Sequence, residues 1–126
     1  MKRMTFSFFL TFSDLYKMII GIAGPYSAST PEQRQKNLDV LNHYAAKLLA
    51  MGHIPLIGVN AALPILPFLK TQDTYTAIMT ISLAMINSCE ALLVIAESPG
   101  ANKERDLILA KGLPVFYSLE EIPSLN

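Results

Sequence analysis

Four short apolar runs, at residues 18–23, 54–59, 91–96 and 114–117, punctuate the chain, and stretches with helical spacing separate them. The first run, Met18-Ile19-Ile20-Gly21-Ile22-Ala23, closes on Gly24-Pro25, as a buried strand does when it enters a turn. Thr30 is then placed to cap a helix, Pro31 suits the first helical position, and Gln33 completes a capping box. Leu38, Leu41, Ala45, Leu48 and Leu49 follow at helical spacing, and Gly52 ends the helix as its C′ residue. A second strand is predicted over 54–59.

Residues 60–72 contain Pro64 and Pro67 yet are rich in Ala, Leu, Ile and Phe, which predicts a loop packed on a ligand site or a partner chain. Asp73 caps a second helix over 74–88, where Ile78, Met79, Ile81, Leu83, Met85 and Ile86 leave no polar face. Such a helix is expected to be buried on both sides, one of them a subunit interface. The unbroken run 91–96 suits a central parallel strand. Glu97-Ser98-Pro99-Gly100 leads into a third helix over 102–111, ended by Gly112, and a fourth strand follows over 114–117. Ser118-Leu119-Glu120-Glu121 reads as a capping box that opens a short terminal helix.

This alternation predicts a three-layer α/β domain of Rossmann or flavodoxin type, with helices on both faces of a parallel sheet. Four to five strands are expected, in the order 2-1-3-4. In that order the chain reverses direction between strands one and three. A ligand crevice is expected there, at the carboxyl ends of the strands, between the loops 24–30 and 97–103.

The length of 126 residues is one domain's worth, and 52% of them are apolar, so a packed core forms without a staple. Net charge is zero and no basic run stands out, which argues against a nucleic-acid polymer or a membrane surface as partner. One cysteine, Cys89, no Trp and no Asn-x-Ser/Thr triplet lean towards a reducing, cytoplasmic setting. Cys89 itself reads as a small buried hydrophobe. Met1-Lys2-Arg3-Met4 followed by the apolar stretch 6–12 imitates a signal peptide, but it is short, is broken by Ser and Thr, and lacks a small-x-small site. Residues 1–17 are therefore taken as an extension upstream of a domain over 18–126.

Gly24, Tyr26 and Ser27 in the first loop offer close backbone approach, an aromatic face and a hydroxyl, and the following helix start offers open amides. In the second loop, Gly100-Ala101-Asn102-Lys103-Glu104 places Glu104 in the first turn of a helix. The helix dipole there is expected to favour the ionised form that a nucleophile needs. Glu97 is a second acidic candidate, able to orient Glu104. Arg34 and Arg105 read as solvated helix residues and His53 as a structural histidine. Two isolated histidines and one cysteine have no metal-ligand spacing, and neither metal nor cofactor is expected. No Gly-x-Ser-x-Gly, G-x-G-x-x-G or Walker loop occurs.

Three segments, Ile20-Gly21-Ile22-Ala23-Gly24-Pro25-Tyr26-Ser27, Gly52-His53-Ile54-Pro55, and Ala91–Ile95 leading to Gly100-x-x-x-Glu104, resemble the nucleoside 2-deoxyribosyltransferase-like superfamily. Within it the chain looks most like the branch called domain of unknown function 4406. The resemblance implies cleavage of the bond between a base and a ribose or deoxyribose, with Glu104 as nucleophile and Glu97 as the supporting acid. It also implies that Ser27, Ser98 and Gly100 hold a 5′-phosphate, with Gly24, Tyr26 and Asn102 lining the site. The substrate would be a nucleoside or its 5′-monophosphate, and the protein a homodimer or homotetramer. The chain departs from the family pattern in having Ser98 where an aspartate is usual, Ile20-Gly21 where a tyrosine is frequent, and no acid within 60–72. A non-catalytic nucleotide-binding module of the same fold is the alternative expectation.

Overall fold

A computed structural model describes residues 16–126. The basic and apolar opening of the chain, residues 1–15, and the reading of it as an extension lie outside the described residues. The first strand, β1 (Ile19–Ala23), is followed by α1 (Pro31–Ala50), β2 (Ile54–Leu56) and a short helix α2 (Gly58–Ala62). Then come a 3-10 turn (Leu66–Phe68), α3 (Thr74–Ile86), β3 (Ala91–Val94), α4 (Pro99–Ala110), β4 (Val115–Phe116) and a closing 3-10 turn (Leu119–Glu121). All strand pairs are parallel and the order is β2-β1-β3-β4, as expected.

Alternation along the strands sends side chains into two cores. Ile20, Ile22, Leu93 and Phe116 pack against Leu41 and Leu48 of α1 and against Ile122. On the opposite face Leu92 and Val94 pack against Ile86 of α3 and Ala101 and Ile108 of α4. Both faces of the sheet are thus covered, which is why its strands read as unbroken apolar runs.

The ends of α1 follow their signals. Thr30 accepts a hydrogen bond from the Gln33 amide (3.1 Å), while the Gln33 side chain turns to Asn37 rather than back to the cap. Gly52, at φ 97°, takes the left-handed conformation that a C′ glycine supplies. Leu49 is 63% exposed, because it lies one residue past the stripe of Leu41, Ala45 and Leu48.

Other boundaries move. β2 stops at Leu56, and Gly58-Val59 open α2 instead of extending the strand. A short apolar run does not distinguish a strand from a buried helix start. The predicted loop 60–72 contains the end of α2 and the 3-10 turn. α3 ends at Ile86, two residues before the predicted end, with Asp73 capping it as expected (3.0 Å from Thr76 N). β3 stops at Val94, short of the predicted 96. α4 begins at Pro99, because Ser98 caps it through the Ala101 amide (3.1 Å). The terminal helix is only a 3-10 turn; Ser118 makes no side-chain cap, and Glu121 accepts from Tyr117 N instead.

His53 is buried and structural. Its Nδ1 accepts from the Met18 amide (3.2 Å), so Nε2 carries the proton and donates to the Pro123 carbonyl (2.6 Å). The ring thus ties the start of β1 to the C-terminal segment.

Candidate functional site

A cavity of about 220 Å³ opens at the carboxyl ends of β1, β2 and β3, where the strand order reverses. The loop after β1 supplies Gly24, Pro25, Tyr26 and Ser27, and the start of α4 supplies Ser98, Pro99, Gly100 and Ala101. These are the two expected walls. A third wall was not anticipated: Ile57, Gly58 and Val59 after β2, with Tyr75, Ile78, Met79 and Ser82 of α3. None of residues 60–72 lines the cavity, so the expectation that this apolar segment packs on the ligand site is not met; Ile65, Phe68 and Leu69 in it are exposed.

The first wall is braced from α1. The Asn37 amide donates to the Tyr26 carbonyl (2.9 Å) and the Arg34 guanidinium donates to the Ala28 carbonyl (2.8 Å). Arg34 is therefore engaged in holding the loop. Arg105 is engaged too, with Asp106 (3.1 Å) and Asn102 (3.2 Å).

Glu104 is the sixth residue of α4, not a first-turn residue. Ala101, Glu104 and Ile108 form the buried stripe of the helix, so the carboxyl enters the cavity from an otherwise apolar face. The Ser82 hydroxyl donates to Glu104 Oε2. Oε1 has no hydrogen-bond partner among the described residues, and no buried side-chain oxygen there is left unpartnered. Oε1 is therefore the oxygen that reaches the cavity space.

The expected dipole-stabilised carboxylate is not what forms. Burial pushes the Glu104 carboxyl up to about 7, against the opposing pull of the Ser82 hydroxyl. Second-turn placement removes it from the helix end, where the dipole acts.

The remaining candidates divide. Gly24, Tyr26, Ser27, Ser98 and Gly100 line the cavity with Glu104. Glu97 is exposed and does not line it, and the hydroxyl that hydrogen-bonds Glu104 belongs to Ser82. Asn102 faces away, towards Arg105. At the mouth, Lys103 Nζ lies 5.1 Å from the ring centre of Tyr75, joining α3 to α4 across the rim. Among the described residues no group of three or more His, Cys, Asp or Glu is arranged to hold a metal ion. Cys89 is buried, and burial pushes its thiol up to about 11, which leaves it unreactive.

Ser82 was missed because a serine within an apolar helix looks bland. The signal was nonetheless there: Met79, Ser82 and Ile86 have the same spacing as Ala101, Glu104 and Ile108, with the polar residue in the middle of each stripe.

Among the described residues no helix is long and apolar enough to cross a membrane. Over residues 18–117 the sequence matches the family described as Domain of unknown function (DUF4406), and the chain belongs to that family. Comparison with curated proteins gives no match.

Proposed function

We propose that the cavity binds a nucleoside or nucleoside 5′-monophosphate and that the protein cleaves its base–sugar bond, as an N-glycosidase or 2-deoxyribosyltransferase with Glu104 as nucleophile. The observation that carries this reading is the buried Glu104 carboxyl, with one oxygen held by Ser82 and the other reaching an apolar crevice. The resemblance of the Gly100-x-x-x-Glu104 step to the nucleoside 2-deoxyribosyltransferase-like superfamily supports the same assignment.

Cleavage of an N-glycosidic bond develops positive charge on the sugar, and a fixed carboxylate in a water-poor site stabilises that charge. The bond from C1′ to the base nitrogen breaks, its electron pair leaving with the base. Oε1 of Glu104 forms a new C1′–O bond. Water or a second base then attacks C1′, the C1′–Oε1 bond breaks with its electron pair returning to the carboxylate, and the attacking group's proton passes through solvent to the departed base. At about 220 Å³ the cavity is smaller than the ~300–1,000 Å³ of a pocket that encloses a drug-sized ligand, so part of a bound nucleotide would lie at its open mouth. For a 5′-phosphate it offers the Gly100 N–H and the hydroxyls of Ser98 and Ser27. A homo-oligomer in a cytoplasmic setting completes this reading, with the apolar, half-exposed side of α3 as the interface.

One observation favours the alternative of a binding module without turnover. Glycosidases commonly pair two carboxyl groups, and among the described residues Glu104 is the one carboxyl that lines the cavity. Incubation with deoxynucleosides, ribonucleosides and their 5′-monophosphates, followed by chromatography for free base, separates the two readings. Transfer of the sugar to an added second base marks a transferase. Tight binding with no base released, unaffected by Glu104→Gln, marks a binding module.

A further inference from the structure

Ser82 reaches the cavity from α3, and its hydroxyl takes no part in the bonds made and broken above. Its surroundings are nevertheless built to close tolerance. Ser82 is 3% exposed and Glu104 6%, so the hydrogen bond between them is shielded from water on both sides. Across from Ser82 stands Gly58, where α2 begins. A Cβ built on Gly58 would lie 2.0 Å from Ser82 Oγ and 2.6 Å from Ser82 Cα. Only a residue without a side chain lets α2 close over Ser82 while the hydroxyl keeps its aim at Glu104.

We propose that Ser82 is the positioning residue of this site: its hydroxyl ties down Oε2 of Glu104 so that Oε1 alone is presented to the sugar carbon, and Gly58 keeps that hydroxyl in place. The proposal rests on the glycosyl-transfer reading for its catalytic consequence, but not for the contact itself. A carboxyl with two free torsions next to its head group points both oxygens over a wide arc, and an attacking atom must lie in line within about 3–3.5 Å of carbon. One donor from a rigid neighbouring helix removes that freedom. It also favours the ionised form that attacks, against the burial that opposes it.

Few titratable groups surround this pair. Cys89, in the turn after α3, has its thiol raised chiefly by burial, with Glu104 adding to the effect. The Tyr26 and Tyr75 phenols are on the cavity wall. Lys103 is turned to Tyr75 and Arg105 to Asp106. None of these makes a hydrogen bond to Glu104, so among the described residues Ser82 is the one group whose removal changes its fixation directly.

The test follows the Glu104 carboxyl itself. Protein carrying glutamate labelled with carbon-13 at Cδ is titrated by NMR, the Glu104 signal being identified by its loss in Glu104→Gln. In Ser82→Ala the midpoint is expected to move to higher pH than in wild type, and in Ser82→Cys, which keeps a weaker donor, to fall between the two. Backbone amide spectra of both variants establish that they fold. With an active substrate, Ser82→Ala lowers kcat about 10- to 100-fold and leaves KM little changed. An unchanged or lowered midpoint in folded Ser82→Ala overturns the proposal, as does an unchanged kcat. Absence of base release by wild type, with the midpoint shift intact, overturns the glycosyl-transfer reading and leaves the positioning contact standing.

Discussion

The Ser82 hydroxyl and the Glu104 carboxyl meet between α3 and α4, each the polar centre of an apolar helical stripe. Burial of the carboxyl in this arrangement costs stability once it ionises. In the folded protein Glu104 holds its proton up to about 7, against an ordinary value of 4.5. A carboxyl raised in this way contributes stability that is complete below about pH 4.5 and is lost as pH rises through about 7. The full difference corresponds to about 3 kcal/mol. Glu104→Gln is expected to flatten the dependence of unfolding free energy on pH across this window and to be the more stable protein at about pH 8. Urea unfolding of both proteins at several pH values measures this. A glutamine variant less stable than wild type at alkaline pH would mean that the carboxylate serves the fold.

Gly58 and Gly100 both border the cavity, yet alanine is expected to act oppositely at the two positions. Gly58→Ala drives a methyl into the Ser82 backbone at 2.6 Å, a collision that no rotamer relieves. The expected loss is about 1–3 kcal/mol. At Gly100 the nearest atom is Met79 Sδ at 3.1 Å, on a flexible side chain, and alanine favours the helix. Gly100→Ala is therefore expected to be neutral or slightly stabilising. Denaturant midpoints of the two variants decide the matter.

His53→Ala removes the partner of two backbone groups at once, the buried Met18 N–H and the half-buried Pro123 carbonyl. The expected cost is about 2–4 kcal/mol, since each orphaned group costs about 1–3. Cavity ligands should bind the variant as they bind wild type wherever it is folded, because His53 is not among the cavity residues. Thermal unfolding with and without ligand separates the two effects.

Ser98 and Thr30 make equivalent caps, each accepting from the amide three residues on at 3.1 Å. Alanine at either position is expected to cost about 1 kcal/mol. Only Ser98 lines the cavity. Ser98→Ala should therefore also weaken binding of a nucleoside 5′-monophosphate relative to the free nucleoside, and Thr30→Ala should not. Calorimetric titration of both variants tests the distinction.

The positions of the four strands were readable from apolar runs and glycine punctuation; their order came from the usual topology of the fold type, and the position of the crevice followed from that order. The site was only partly so. Thr30-Pro31 announced a helix start, and Ser98-Pro99 carries the same signal, but Gly100 made the segment look like loop. That misplacement put Glu104 in the first turn and attached it to the helix dipole; the true start at Pro99 moves it one turn inwards and buries it. Glu97 suggested itself because it is acidic and nearby, while the residue that holds Glu104 is a serine distant in sequence. Sequence spacing reports neighbours along one helix. It does not report which stripe of another helix will face it, and that depended on Gly58 admitting α2 against α3.

The central claim is that Glu104 Oε1 attacks the sugar carbon of a nucleoside or nucleotide. Chromatography for free base, run on wild type and on folded Glu104→Ala with the same panel of deoxynucleosides, ribonucleosides and 5′-monophosphates, tests it most directly. The account predicts release by wild type that rises with pH through about 7, as the carboxyl ionises, and a loss of at least about 1,000-fold in Glu104→Ala. Release undiminished in Glu104→Ala, or no release by wild type from any member of the panel, would contradict it.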